Sequence, residues 1–345
     1  MIVNRIPINS FMKKYFLLYC ILVFQISYSQ TFKNDSVKQF IDKSFALIKS
    51  HSINVDDLEM IKSDLYSKSE NLSSVDELAP LYVDVFQKLN DHHGGLKYKG
   101  KTYGWKKPLA SNNFYLKEKI KTEKTVKSKV IDKKYGYIRI PGNDDFSFKK
   151  VDSLTGDIVS NINAINSNKI KGWIIDLRLN TGGNMYPILL GLKNFIGNNL
   201  VFGGFNDAKN QSSGKWAIYQ NKMLIDGVEL ESKTTLKNPI KETTPIIILT
   251  SCYTASAGEM TAISFIGRNR TFIVGEPTAN YTTAVQGFKI NNIAGINLST
   301  DYVIDRNQKI YKNNIIPDFE IIGGDDLENL KNDRKIIKAL QLLKR

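Results

Sequence analysis

Residues 172–183 have the sequence GWIIDLRLNTGG. The first six of these residues form a short, nearly continuous apolar run, which is typical of a strand buried on both faces of a sheet. Comparable runs occupy 137–140, 245–250 and 271–274, and segments with helical spacing lie between them at 152–165, 186–195 and about 256–266. This alternation predicts an α/β (α+β) fold in which a mixed sheet is covered by helices on both faces.

The composition of the chain is that of a globular protein. Its 345 residues are 42% hydrophobic and 24% charged, with 23 glycines and 9 prolines. These values exclude disordered, collagen-like and fibrous proteins, and the length is sufficient for one or two cores. The net charge of +14 bears on solubility and on attraction to anionic surfaces or acidic substrates, and it does not bear on the fold.

The first thirty residues have the pattern of an export signal. Lys13 and Lys14 precede an apolar run at 15–24, and small residues follow at Ser27 and Ser29. Because this run is shorter than the roughly 20 residues that span a bilayer, it predicts a signal peptide at 1–29. The mature chain is then expected to have no membrane span and to reside in the periplasm, at the cell surface or outside the cell.

Cleavage after Ser29 would change both the charge and the cysteine count. The loss of Arg5, Lys13 and Lys14 would lower the net charge from +14 to +11. Cys252 would remain as the only thiol, which excludes an intramolecular disulfide. Lipidation at Cys20 is a less favoured alternative, since this cysteine lies inside the apolar run.

The rest of the chain divides into two parts joined by a connection. Helical spacing between residues 34 and 90 predicts a helical N-terminal domain at 30–95. A Lys- and Gly-rich connecting segment at 96–135 leads to an α/β core domain at 136–345, which closes with a helix at about 327–343.

Six lysines between residues 117 and 129 alternate with apolar residues. This pattern predicts the solvent face of edge strands, where lysine prevents unwanted pairing. Because no stacking aromatic residues are interleaved with the lysines, we expect no nucleic-acid partner.

Two loops that follow the predicted strands contain residues suited to chemistry. In loop 176–183, Gly182 and Gly183 allow backbone N–H groups to approach an anion or an oxyanion, although a tight turn is the simpler interpretation of the glycines alone. In loop 250–259, Ser256 is flanked by small residues and precedes a helix. A serine in this place is either a nucleophile or, more commonly, a helix N-cap.

A nucleophilic serine needs a base, and the chain has three histidines, His51, His92 and His93. His92 and His93 lie in loop 89–95, where a side chain could extend into a cleft between the two predicted domains. A metal site at this pair is disfavoured, since no third and fourth ligands with recognisable spacing accompany it.

Several of these segments together resemble a known family. The segments 89–93, 137–141, 176–183, 254–259, 275–278 and 316–318 are similar in order and spacing to the tail-specific (C-terminal processing) serine peptidases and their tricorn-core relatives. The resemblance covers roughly residues 85–320. It implies a ClpP/crotonase-like protease core, Ser256 as the nucleophile, and an oxyanion hole formed by the amides of Gly182, Gly183 and Ala257. It implies a polypeptide substrate and no cofactor or metal.

Two departures from the family pattern refine this expectation. The processing branch has a catalytic lysine in the string after 275–278, whereas Tyr281 occupies that position here. Only about forty residues separate Gly94 from Tyr135, which is too few for the PDZ domain of that branch. The chain therefore resembles the histidine-base branch without a PDZ domain, in which His93 is the expected base.

In the histidine-base branch a glutamate helps to orient the histidine, and Tyr311 occupies the matching position here. The candidates for the orienting group are thus Asp305, Tyr311 and Gln286. Taken together, the resemblance predicts an exported serine peptidase that acts through an acyl-enzyme. The alternatives are a catalytically inactive protein that binds a peptide or hydrophobic ligand on the same fold, and a hydrolase of non-peptide esters or amides.

Overall fold

A computed structural model of the protein describes residues 32–344. The predicted signal peptide at 1–29 and Cys20 lie outside the described residues. The helices are α1 (Asp35–His51), α2 (Leu58–Ser69), α3 (Val75–Leu78), α4 (Tyr82–Lys88), α5 (Phe114–Thr122), α6 (Val151–Ile165), α7 (Tyr186–Ile196), α8 (Ala257–Phe265) and α9 (Arg334–Leu343), with a 3₁₀ turn at Ala79–Leu81. The strands are β1 (Gly95–Tyr98), β2 (Lys101–Tyr103), β3 (Lys127–Ile131), β4 (Tyr135–Arg139), β5 (Gly172–Asp176), β6 (Leu200–Asn206), β7 (Ser212–Tyr219), β8 (Lys222–Ile225), β9 (Val228–Leu230), β10 (Ile246–Thr250), β11 (Thr271–Gly275), β12 (Thr283–Lys289), β13 (Ala294–Asp305), β14 (Ile310–Tyr311) and β15 (Phe319–Glu320).

The buried strands form a mixed sheet, as the apolar runs predict. Its order is β15-β11-β10-β5-β4-β3, and all neighbours are parallel apart from β3 and β4. Successive residues alternate between faces: Ile175 packs in a cluster with α6, α7 and α8, whereas Ile174 packs in a cluster with α9. The predicted fold class, a mixed sheet with helices on both faces, is confirmed.

A second sheet was not predicted. Over residues 32–344 it has the order β2-β1-β13-β6-β7-β8-β9, with β12 and β14 also paired to β13. Its neighbours are antiparallel, and the register of β6 against β7 shifts between Val201 and Gly203 and again between Phe205 and Asn206. These irregularities interrupt the alternation of apolar and polar residues by which a half-buried strand is recognised in a sequence.

The N-terminal helices pack against this second sheet. One apolar cluster includes Val37, Ile41 and Phe45 from α1 together with Ile296 and Leu298 from β13. The cluster therefore joins the segments 30–95 and 136–345, which the sequence analysis treats as two domains.

Two predicted elements differ from the structure. Lysines 117–121 belong to α5 and not to a strand, whereas Lys127 and Lys129 are exposed on the edge strand β3, as expected. The terminal helix begins at Arg334 instead of about 327, because the Asp333 side chain accepts hydrogen bonds from the amides of Lys335 and Ile336 and caps the helix there. Among the described helices, none has the length and apolar character needed to cross a membrane.

Candidate active site

Two loops at the carboxyl ends of neighbouring parallel strands form the centre of the site. Loop 177–183 follows β5, and loop 251–256 follows β10. The buried Asn180 joins them, since its backbone oxygen accepts a hydrogen bond from the Ala255 amide at 3.0 Å and its Oδ1 accepts one from the Gly182 amide at 3.1 Å. One residue, which the sequence analysis did not single out, thus positions the glycine loop against the serine loop.

Ser256 lies at the turn from β10 into α8 and has an unusual backbone conformation. Its φ is 49° and its ψ is −114°, outside the regions that residues other than glycine normally populate. An N-cap residue usually has an extended backbone, whereas a strained residue at a strand-to-helix turn is typical of an exposed nucleophile. Ser256 is thus the N-cap residue of α8, with a capping box to Glu259, and its strained conformation in addition favours the nucleophile interpretation.

The glycine loop faces this serine. A Cβ atom added to Gly182 would lie 3.0 Å from the Ser256 Cβ and 3.6 Å from its Oγ. The Gly182 amide is already bonded to Asn180, whereas the amides of Gly183 and Ala257 have no hydrogen-bond acceptor within residues 32–344. Of the three predicted oxyanion donors, Gly183 and Ala257 are therefore the two with an N–H group available for a ligand.

His93 lies in the loop between α4 and β1. Its Nδ1 is 2.9 Å from the Thr283 hydroxyl at the start of β12, and its ring packs edge-on against the Tyr281 ring at 4.9 Å. Burial lowers the pKa of His93 to about 4, although the charge of Asp91 acts in the opposite direction. The imidazole is therefore neutral at pH 7, as a general base must be.

Three further side chains extend from His93 into the protein. The Thr283 hydroxyl is 3.1 Å from the Ser299 hydroxyl, which donates to Asp91 Oδ1 at 2.8 Å. Asp91 and Ser299 are buried. The one sign of these contacts in the sequence is the position of Asp91 beside the histidine pair, and nothing in the sequence marks Thr283 or Ser299.

Glu259 links the serine to the segment that carries Tyr281. Its Oε2 accepts hydrogen bonds from the amides of Ser256 at 3.0 Å and Tyr281 at 2.6 Å, and its Oε1 accepts from the Asn280 amide and the Thr278 hydroxyl. Burial raises the pKa of this carboxyl to about 7, although the four donors lower it. Ser256 and His93 are thus connected through Tyr281, and no hydrogen bond joins them directly within the described part of the chain.

The three candidates for the orienting group make other contacts. The Tyr311 hydroxyl donates to Asp305 Oδ2 at 2.9 Å, and both side chains are buried. Gln286 is exposed in β12. No hydrogen bond joins any of the three to His93 among residues 32–344, and the Nδ1 partner is Thr283.

His92 has a different environment from His93. Its Nε2 lies 2.5 Å from the backbone oxygen of Asn280, so this nitrogen carries the hydrogen. The rings of Trp105 and Tyr281 pack edge-on against it. Burial lowers the pKa of His92. The bond to Asn280 occupies one nitrogen, and among residues 32–344 the other is buried without a partner.

A network of buried charges lies next to both loops. Its members are Asp176, Arg178, Glu276, Asp325, Asp333 and Lys335, whose side chains are at most 1% exposed. Arg178 contacts three carboxylates at 2.6–2.7 Å, and Lys335 contacts two at 2.8–3.0 Å. Burial alone would raise the pKa of Glu276, but the charge of Lys335 and backbone N–H donors lower it to about 2. The network ties α9 to the ends of β5 and β11.

A cavity of about 420 Å³ borders the glycine loop, where Gly142 and Thr181 form part of its wall. A Cβ added to Gly142 would lie 2.8 Å from the Gly182 carbonyl, so the cavity is adjacent to the loop that faces Ser256. The rest of its lining is largely apolar, with charged side chains at Lys124, Asp144 and Asp157. No group of three or more metal-ligating side chains occurs among residues 32–344.

Comparison with known proteins identifies the family. The model of peptidase family S41 matches residues 134–321, which is more than half of the chain. The chain belongs to peptidase family S41. The resemblance to tail-specific and tricorn-type serine peptidases is therefore confirmed, and this S41 protein is a serine-type peptidase by family.

Individual relatives agree with this family. The nisin-resistance protein of Lactococcus lactis subsp. lactis is 31% identical over 158 residues, which are 46% of this chain and 48% of that protein. The match thus spans about half the length of the curated relative.

Two solved structures have the same fold as this S41 protein. A lipoprotein from Streptococcus agalactiae superposes with a TM-score of 0.65 at 20% identity, covering 89% of this chain and 96% of that one. The photosystem II D1 C-terminal processing protease superposes with a TM-score of 0.55 at 11% identity, covering 87% and 96%. At such identities the likeness concerns the fold alone.

Proposed function

We propose that the protein is an exported peptidase that cleaves peptide bonds through an acyl-enzyme, with Ser256 as the nucleophile and His93 as the general base. The observation that carries the proposal is the strained backbone of Ser256 against the glycine loop, next to two amides that have no acceptor among the described residues. A helix cap needs no such strain, whereas a nucleophile on a sharp turn does.

The residues can perform the following steps. His93 is neutral at pH 7, and its Nε2 takes the proton from the Ser256 hydroxyl as the oxygen attacks the substrate carbonyl. The N–H groups of Gly183 and Ala257 stabilise the oxyanion of the tetrahedral intermediate. The imidazolium then gives its proton to the leaving amine, and water hydrolyses the acyl-enzyme with His93 again as the base.

Ser256 and His93 are not hydrogen-bonded in this structure. Catalytic hydrogen bonds are often long without substrate and shorten when it binds. Tyr281 packs on His93, and its amide shares Glu259 with Ser256, so the two catalytic residues are linked through one short segment.

The substrates we propose are polypeptides of the cell envelope or exterior. The family supports the polypeptide class, and the predicted signal peptide supports the location. The cavity beside the glycine loop is a suitable place for an apolar side chain of the substrate. Because one relative is named for nisin resistance, nisin is also a substrate to test.

A fluorophosphonate probe tests this proposal without a known substrate. We expect the mature protein to be labelled at Ser256, and we expect Ser256→Ala and His93→Ala to abolish labelling. His51→Ala is the matched control and should label normally, since His51 stacks on Phe288 outside the site. Hydrolysis of casein compared with short esters then separates a peptidase from an esterase.

The inactive binding protein is the competing proposal. It predicts no labelling of the folded wild-type protein and tight retention of a peptide or hydrophobic ligand. Normal labelling of His93→Ala would show that the base is assigned wrongly even if Ser256 is the nucleophile.

A further inference from the structure

We propose that Asp91, acting through Ser299 and Thr283, is the positioning group that orients His93. The inference rests on the proposed function, because it concerns the base of that same site. It assigns the orienting role to a chain of two hydroxyl groups that ends at a buried carboxylate.

The hydrogen bonds of this chain can run in only one direction if Asp91 is ionised. A carboxylate only accepts, so the Ser299 hydroxyl donates its hydrogen to Asp91 at 2.8 Å. Ser299 must then accept from the Thr283 hydroxyl at 3.1 Å, and Thr283 must accept from His93 Nδ1 at 2.9 Å. The chain therefore places the hydrogen of the neutral imidazole on Nδ1 and leaves the lone pair of Nε2 for the Ser256 proton.

Asp91 also holds the backbone that carries the histidine. Its Oδ1 accepts hydrogen bonds from the amides of His93 at 3.1 Å and Gly94 at 2.8 Å, and its Oδ2 accepts from the Ser299 amide at 3.1 Å. The side chain is thus bonded to the loop before β1 and to β13. Both the tautomer and the position of the imidazole depend on one buried carboxylate.

The pairing of the second sheet is irregular beside the two hydroxyls. Strands β12 and β13 are antiparallel, and their register shifts between Ala284 and Val285. Thr283 is opposite Tyr302 and Val285 is opposite Ser299, so the shift separates the two hydroxyl residues in register. The Thr283 side chain nevertheless reaches Ser299 on one side and His93 on the other.

The rate of fluorophosphonate labelling at Ser256 tests the proposed chain of hydrogen bonds. Thr283→Val keeps the shape of the side chain but has no hydroxyl, and we expect it to label about 100-fold more slowly, which is within the range of general-base effects. Thr283→Ser restores the hydroxyl and should return the rate to within about threefold of wild type. Thr300→Val is the matched control on β13. The Thr300 hydroxyl donates to Asp301 and takes no part in the hydrogen bonds between Asp91 and His93, so this variant should label at the wild-type rate.

The pH dependence of labelling distinguishes residues that orient His93 from residues that only support the fold. Burial disfavours the protonated ring of His93 most strongly, and His92 also disfavours it, whereas Asp91 and a hydrogen bond with the Thr283 backbone favour it. The Tyr281 ring packs against the imidazole. Asp91→Asn removes the favourable charge, so the acid limb of the labelling rate should move to lower pH while the plateau falls. Ser299→Ala keeps that charge, so it should lower the plateau with a smaller displacement of the acid limb.

The outcomes distinguish the two proposals. If the wild type labels in a His93-dependent manner but Thr283→Val and Ser299→Ala both label at the wild-type rate, the peptidase proposal stands and the proposed orienting role of Asp91 is overturned. The orienting role is equally overturned if Thr283→Ser is labelled as slowly as Thr283→Val. If the folded wild type does not label at all, both proposals fail.

Discussion

Ser256 has a backbone conformation that costs an L-amino acid about 1–3 kcal/mol. The surrounding contacts maintain it: the Ser256 amide donates to Glu259, and its carbonyl accepts from Met260 as α8 begins. The glycine loop lies so close that Gly182 has no room for a side chain without a shift of the serine. The position of the nucleophile therefore depends on a residue 74 places earlier in the chain.

We expect Gly182→Ala to lower kcat about 100-fold, because its Cβ would displace Ser256 from its working position. The φ of +108° adds backbone strain. Gly100→Ala is the control: Gly100 also has a positive φ, but no atom of residues 32–344 is recorded within 4 Å of its added Cβ. The control should lose about 1–2 kcal/mol of stability and keep its kcat. Equal kcat values for Gly182→Ala and wild type would contradict the placement of the glycine loop.

The acid limb of kcat/KM reports the pKa of the base in the free enzyme. Since burial lowers the pKa of His93 to about 4, activity should rise with pH around 4 as this base loses its proton. A limb near 6.5, the ordinary value for histidine, would contradict the buried environment. Unfolding should also take up a proton between pH 4 and 6.5, so this residue makes the protein less stable as the pH falls through that window.

At the scale of the element, α9 is attached to the site by charge as well as by apolar contact. Ile336 and Ala339 pack on the mixed sheet, while Lys335 extends to Glu276 at the end of β11. Glu276 in turn accepts a hydrogen bond from the Cys252 amide in the serine loop. The last helix of the chain therefore supports the loop that carries the nucleophile.

We expect Lys335→Ala to destabilise the protein by about 3–5 kcal/mol, since it removes the cation that pairs with the buried Glu276 and one of the two cations that pair with Asp325. Urea unfolding at pH 7 measures the loss. Lys331→Ala is the control just before α9: Lys331 is exposed, and its removal should change the free energy of unfolding by less than about 0.5 kcal/mol. A similar small effect for Lys335→Ala would show that the network contributes little net stability.

At the scale of the whole molecule, the residues of the candidate site come from both sheets. The mixed sheet carries Ser256 and the glycine loop, and the second sheet carries His93 and Thr283. The N-terminal helices pack on the second sheet through a shared apolar cluster. The base is thus positioned by a core that includes residues from both predicted domains.

A shared cluster predicts that the mature protein unfolds in a single transition. Ile41→Ala should lower the midpoint of that whole transition and cost about 2–5 kcal/mol, because Ile41 is fully buried in the cluster. Met60→Ala on α2 is the control, since its side chain is 64% exposed. Differential scanning calorimetry would contradict the shared core if Ile41→Ala moved only an early, separate transition.

Local patterns were sufficient for the four inner strands of the mixed sheet. The runs at 172–177 and 245–250 are apolar at nearly every position, and burial on both faces requires this of a parallel strand. The second sheet has no such pattern, because its strands are partly exposed and interrupted by register shifts. The extent of α5 was missed because its lysines were interpreted as belonging to strands.

The sequence by itself determined the inner strands of the mixed sheet and the loops that follow β5 and β10, because each depends on residues that are neighbours in the chain. It also determined the family, through the order and spacing of several such segments. Only the tertiary structure decided what lies beside the imidazole. Thr283 contacts His93, and Ser299 joins Thr283 to Asp91, through side-chain hydrogen bonds that leave no local pattern. A hydroxyl becomes an orienting group only when folding brings it within hydrogen-bond distance of a base and removes competing water, so residue type alone could not identify it.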